Sequence, residues 1–125
     1  MFASIIFAAV LSAAPVAVDI DAMKAGQLPL AGTPEEADTC AAETKYVLLA
    51  MLKSGKATGE EAGMAAVPMV KWLKRAAAFR AVDVKAYSND KAVVDAALSL
   101  QAIEPDTHAT LAKACMSRLS TLETK

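Results

Sequence analysis

The sequence predicts an all-α fold, a small bundle of four or five short helices closed by one disulfide between the first helix and the last. Three observations carry this. Apolar residues make up 55% of the 125, yet only 5% are aromatic and alanine dominates the rest, a composition that favours helix and forces close helix packing. Apolar positions recur at three- and four-residue spacing over most of the chain after residue 33. Thr- and Asp-led capping signals stand immediately before those periodic runs.

The N-terminus is read separately from this bundle. Residues 2–11 form an uncharged apolar run of signal-peptide length, too short to cross a bilayer, and small residues follow it. Cleavage after Ala14 places small residues at the −3 and −1 positions but Pro15 next. Cleavage after Ala17 places Pro15 at −3, so both sites stay open. Residues 1–17 are therefore expected to be a signal peptide, and the destination periplasmic or secreted. The alternatives are an uncleaved anchor or an N-terminal helix attached to the body. No transmembrane span is expected in the mature chain, because nothing after residue 11 holds 18 consecutive apolar residues. Residues 18–32, punctuated by Gly26, Pro29 and Gly32, read as a flexible leader arm, and residues 33–125 as the helical domain.

In that domain, Thr33-Pro34-Glu35-Glu36 is a helix start: a Thr cap, Pro at the first helical position and Glu three residues after the cap. The helix should reach Ser54, with Gly55 as its stop, and should turn Ala37, Cys40, Ala41, Thr44, Val47, Leu48, Met51 and Leu52 inward. Thr58-Gly59-Glu60-Glu61 opens a second helix towards Phe79, in which Pro68 predicts a kink or a break near Val67. Arg80 would fall inside the apolar arc of that helix, so either the helix frays there or Arg80 finds a carboxylate such as Asp83. Ser88-Asn89-Asp90 caps a third helix ending at Glu104-Pro105. Asp106 or Thr107 caps the last, whose stripe is His108, Leu111, Ala112, Cys115, Leu119 and Leu122, with a tail from Thr121 that frays.

Net charge is −1, which excludes general affinity for nucleic acid, since phosphate contacts need an excess of clustered cations. Residues 62–91 are a local exception, with six bases against two acids. Within them, Lys71, Trp72, Lys74 and Arg75 read in two ways: a basic amphipathic surface for an anionic membrane or an acidic protein partner, or an ordinary helix whose charges are solvated while Trp72 anchors the core.

Cys40 and Cys115, each central to an apolar face in a chain read as exported, are expected to form a disulfide. The alternative is two unpaired core cysteines. His108 is the only histidine, and it reads either as a pH-sensitive group or as a packing residue. One His and two distant Cys lack the paired local spacing of a structural zinc site, and no Gly-x-Ser-x-Gly elbow or Cys-X-X-Cys pair is present. No cofactor, metal or enzymatic activity is expected. Thr39-Cys40 in the first helix and Ala114-Cys115 in the last give a general architecture similar to that of the small periplasmic acid-stress chaperones, helical proteins with one bridge. The interval between the cysteines is longer here. The function expected is binding or protein interaction, with a structural accessory subunit of a cell-envelope complex and an acid- or stress-related chaperone-like protein as alternatives.

Overall fold

The computed structural model of the chain describes residues 18–123; the run at 2–11 and both cleavage positions lie outside the described residues. Among the described residues there are six α-helices and no strand: α1 (Ile20–Lys24), α2 (Pro34–Ser54), α3 (Gly59–Phe79), α4 (Val84–Asn89), α5 (Lys91–Ser99) and α6 (Pro105–Glu123). A 3-10 turn, Leu100–Ala102, joins α5 to α6.

Two of the long helices, α2 and α3, begin where local chemistry predicts, whereas α6 starts at Pro105, so Asp106 and Thr107, expected as its cap, lie inside its first turn. Thr33 caps α2 through its hydroxyl, which accepts from the Glu36 N–H at 3.2 Å. Thr58 and Glu61 form a reciprocal capping box at α3, with bonds of 3.0 and 2.9 Å. The Thr58 backbone N–H, and then its hydroxyl, hold the exposed Glu61 carboxyl below the usual carboxylate range. Gly55 ends α2 in the left-handed region at φ 69°.

Four further details differ from the sequence reading. First, α3 runs through Pro68 without interruption. Pro68 has no N–H for the Met64 carbonyl, and the bond is lost on an exposed part of the helix, Met64 being 68% exposed, where a missing backbone bond costs less than in the core. Second, an additional helix, α4, precedes α5, because Asp83 caps the Ala86 N–H at 2.7 Å instead of pairing with Arg80. Third, the stretch expected to be a flexible leader arm is packed onto the body. Asp19 caps α1, and Met23 is fully buried with Ala42, Leu100, Ile103 and Leu111. The tail expected to fray from Thr121 is helical to Glu123.

α2 is the axis of the molecule. Every residue from Glu36 to Thr44 is buried, so this segment is enclosed on all sides. Its Ala37, Cys40 and Ala41 join Trp72, Leu73, Ala76, Ala77, Tyr87, Val93 and Cys115 in the main core. Its Ala42 joins the smaller cluster beneath α1. Small side chains on α2 let α3 lie close against it. The expected disulfide is present: Cys40 of α2 and Cys115 of α6 are bonded, with Cα atoms 5.5 Å apart and a sequence separation of 75. Trp72 secures the junction by donating its indole N–H to the Cys115 carbonyl at 3.2 Å.

α3 ends in a Schellman-type turn. The Val82 N–H reaches back to the Ala77 carbonyl at 3.1 Å, and Ala81 carries φ 58°, a conformation that costs a residue with a Cβ. This turn points Arg80 back under the bundle. Ala81→Gly should therefore raise stability by about 0.5–1 kcal/mol, read from the denaturation midpoint. Replacing Cys40 and Cys115 together by Ala should lower it by about 4 kcal/mol in the same measurement, since the bridge closes a long loop in the unfolded chain.

Candidate functional site

Because residues 36–44 of α2 are enclosed, the acids among them have no route to water, and each must meet a partner. Glu36, Asp38 and Glu43 are all at most 1% exposed. Glu36 accepts from Arg118 of α6 at 2.9 Å and from the Gly32 N–H at 3.0 Å, and Arg118 also donates to the Pro29 carbonyl. This knot is what holds residues 29–32 against α6. Asp38 pairs with Arg80 and accepts from the Tyr87 hydroxyl at 2.7 Å. Burial, and then the bond to Asp38, push the Tyr87 phenol far above its ordinary value, so it remains a donor at any physiological pH. The carboxylate that Arg80 requires is thus Asp38, one layer below, and not Asp83.

Glu43 faces the single histidine. His108 Nδ1 lies 2.8 and 3.0 Å from the two Glu43 oxygens, and Nε2 lies 2.8 Å from the Leu100 carbonyl oxygen. Tyr46, one turn after Glu43, stacks on the imidazole with ring centroids 4.2 Å apart and planes 15° apart. Burial pushes the Glu43 carboxyl up, and the His108 bond opposes this without cancelling it.

Beyond this pair α2 and α6 enclose a groove of about 490 Å³. Tyr46, Val47, Ala50 and Met51 form one wall, Pro105, Ala109 and Ala112 the other, and His108 part of the floor. The space exists because Ala50, Ala109 and Ala112 stop at Cβ, where longer side chains would fill it. On the far side of Ala50 a second depression of about 330 Å³ lies between α2 and α5, bordered by Leu49, Lys53 and Leu98. Leu49 and Leu98 are exposed, which makes the second half of α2 an apolar ridge between two hollows.

Of the basic segment that the sequence singled out, Trp72 belongs to the core, as the second of its two readings expected. Trp72 is fully buried, so the exposed basic face that would include it is absent. Lys71 pairs with Glu123, Lys74 faces solvent, and the Arg75 guanidinium sits 5.4 Å from the Phe79 ring centroid. His108 is brought to the groove, and Cys40 and Cys115 to the core. Sequence reasoning passed over Glu36, Asp38, Glu43, Tyr46, Tyr87 and Arg118. A signal existed for two of the pairings: Arg80 and His108 each stand on an apolar helix face, and such a residue needs a polar partner somewhere in the fold.

Among the described residues no group of His, Cys, Asp and Glu is arranged to hold a metal ion, and no helix is long and apolar enough to cross a membrane. Removing the acid from a buried pair strands its partner. Asp38→Ala should therefore cost about 3–5 kcal/mol in urea unfolding, and Tyr87→Phe about 1–2 kcal/mol. Compared with protein-family models, curated proteins and solved structures, the chain matches none.

Proposed function

We propose that this protein is an exported binding module that receives an apolar portion of a protein partner in the groove between the second half of α2 and the first half of α6. The observation that carries the reading is the groove itself. Its volume lies in the range of ligand sites, its lining is mostly apolar, and Leu49 and Leu98 stand exposed on the neighbouring ridge and hollow. The body behind it is cross-linked by the disulfide and by the Glu36–Arg118 and Glu43–His108 contacts, so the groove is available without refolding. Two features support a periplasmic or extracellular setting: a disulfide in the core, which persists in oxidising compartments, and the apolar run at residues 2–11.

A second reading, that of an accessory subunit of a cell-envelope complex, is favoured by Met64 and Leu98, which are 68% and 60% exposed on two different helices. Cooperative thermal unfolding of the isolated monomer supports the self-sufficient module; a non-cooperative, molten state supports the subunit.

Two measurements test the main reading. Intact mass of the exported protein should show residues 1–14 or 1–17 removed, with alkylation of both cysteines only after reduction. Retention of residues 2–11, or thiols alkylated without reductant, removes the assignment of compartment. An apolar fluorophore such as anilinonaphthalene sulfonate should brighten on the native wild-type protein. Ala109→Leu fills the groove with apolar atoms and should abolish that signal while leaving the melting temperature within a few degrees. Unchanged dye binding in Ala109→Leu counts against the groove.

A further inference from the structure

The contacts around His108 dictate how many protons the site holds. A carbonyl oxygen only accepts, so Nε2, 2.8 Å from the Leu100 carbonyl, carries a hydrogen. A carboxylate and a bare Nδ1 are both acceptors, so the contacts of 2.8 and 3.0 Å between Nδ1 and Glu43 require one more proton between them, whichever atom it rides on. The pair is neutral overall in either form. Its surroundings offer no substitute. The Glu43 side chain is fully buried, and His108 is its hydrogen-bond partner. His108 also meets the Tyr46 ring on α2 and the Leu100 carbonyl on the 3-10 turn, and both of those residues belong to or pack on the apolar cluster around Met23. Loss of the shared proton leaves a buried carboxylate against a nitrogen lone pair, a repulsive contact, and among the described residues no Lys or Arg forms an ion pair with Glu43.

We propose that this shared proton is a pH-sensitive clasp, which ties the first half of α6 to α2 and sets the shape of the groove, and whose loss as pH rises loosens residues 105–112 while the Cys40–Cys115 bridge holds the second half of α6 in place. The mechanical layout supports it. α2 and α6 are joined at Glu36–Arg118, Cys40–Cys115 and Glu43–His108 in antiparallel order, and the groove opens beyond the last of these. Of the three links, this one alone carries a proton that both partners need. His108 is also part of the groove floor, so its movement changes the site directly. That consequence rests on the groove reading; the clasp itself does not.

The sign follows from burial. Burial raises the Glu43 carboxyl above its unfolded value, so its contribution to stability is complete below the ordinary carboxylate range and is lost as pH rises through the raised folded value. Glu43→Gln separates proton loss from shape. A Gln amide N–H donates to Nδ1 without titrating, so it holds the clasp shut at every pH.

The test uses the mature chain with 15N label between about pH 5 and about pH 9. At the acid end the His108 ring should show a protonated Nε2. As pH rises, amide shifts should move at Tyr46, Leu100 and residues 108–112, while those around Cys40 and Cys115 stay in place. The melting temperature should fall, and Glu43→Gln should at least halve that fall. An Nε2 without a proton, shifts spread evenly over the bundle, or an equal fall in Glu43→Gln would each overturn the clasp. If Glu43→Gln does not fold, the ring and amide signals of the wild type decide alone. Dye binding recorded in the same series keeps the two claims apart. No binding at any pH ends the groove reading, whereas a pH-independent His108 ring ends the clasp even where the dye binds.

Discussion

The rest of this structure depends on enclosing one charged helix. Residues 36–44 of α2 are buried on every side, yet they include three acids. Moving unpaired carboxylates out of water would cost more than a domain of this size has to spare. The three acids therefore dictate where other elements must lie: α6 must bring Arg118 and His108 to Glu36 and Glu43, and the end of α3 must bring Arg80 to Asp38. Buried pairs of this kind add little net stability over apolar packing, but breaking one is severe, so they act mainly as a specification of register. The disulfide sits between two of them on the same pair of helices and adds a covalent constraint in the same sense.

This arrangement divides the α2–α6 pair into two parts with different properties. Over residues 36–43 the helices are fastened by charge, sulfur and imidazole. Beyond Tyr46 the facing residues are mainly alanine, valine and methionine, and no polar link is present there among the described residues. A close-packed interior tolerates no such space, so the groove lies at the surface, where small side chains leave it open to solvent. The rigidity of one half is what gives the other a defined shape.

Much of the secondary structure was legible because its signals are local. Thr33 and Thr58 each meet an N–H three residues away, and Gly55 and Asp90 end or begin helices through their own backbone or side chain. The errors arose where a local rule met a tertiary one. Pro68 did not break α3, and the residue whose carbonyl it orphans, Met64, stands at the exposed surface and not in the core. Arg80 was recognised as out of place on an apolar arc, but the near acid, Asp83, was already committed to capping α4. Of the two readings that Trp72 and its basic neighbours allowed, burial selects the core anchor: the indole is fully buried and donates to the Cys115 carbonyl. The segment before α2 looked like an arm from its glycines and proline. Met23 and the carbonyl of Pro29, held by Arg118, make it part of the body.

The sequence by itself determined that the chain is helical, where α2 and α3 start and stop, and which face of α2 and α6 carries the cysteines, because each of these depends on contacts within one turn or on the 3.6-residue period. Only the tertiary structure decided that Glu43 meets His108 and Asp38 meets Arg80, partners 65 and 42 residues apart. It also decided that residues 36–44 of α2 are enclosed and that a groove remains beside Ala50. Acids, cations and alanines look the same in sequence whether solvated or buried; their role depends on which other helices surround them, and that is fixed by packing the whole chain at once.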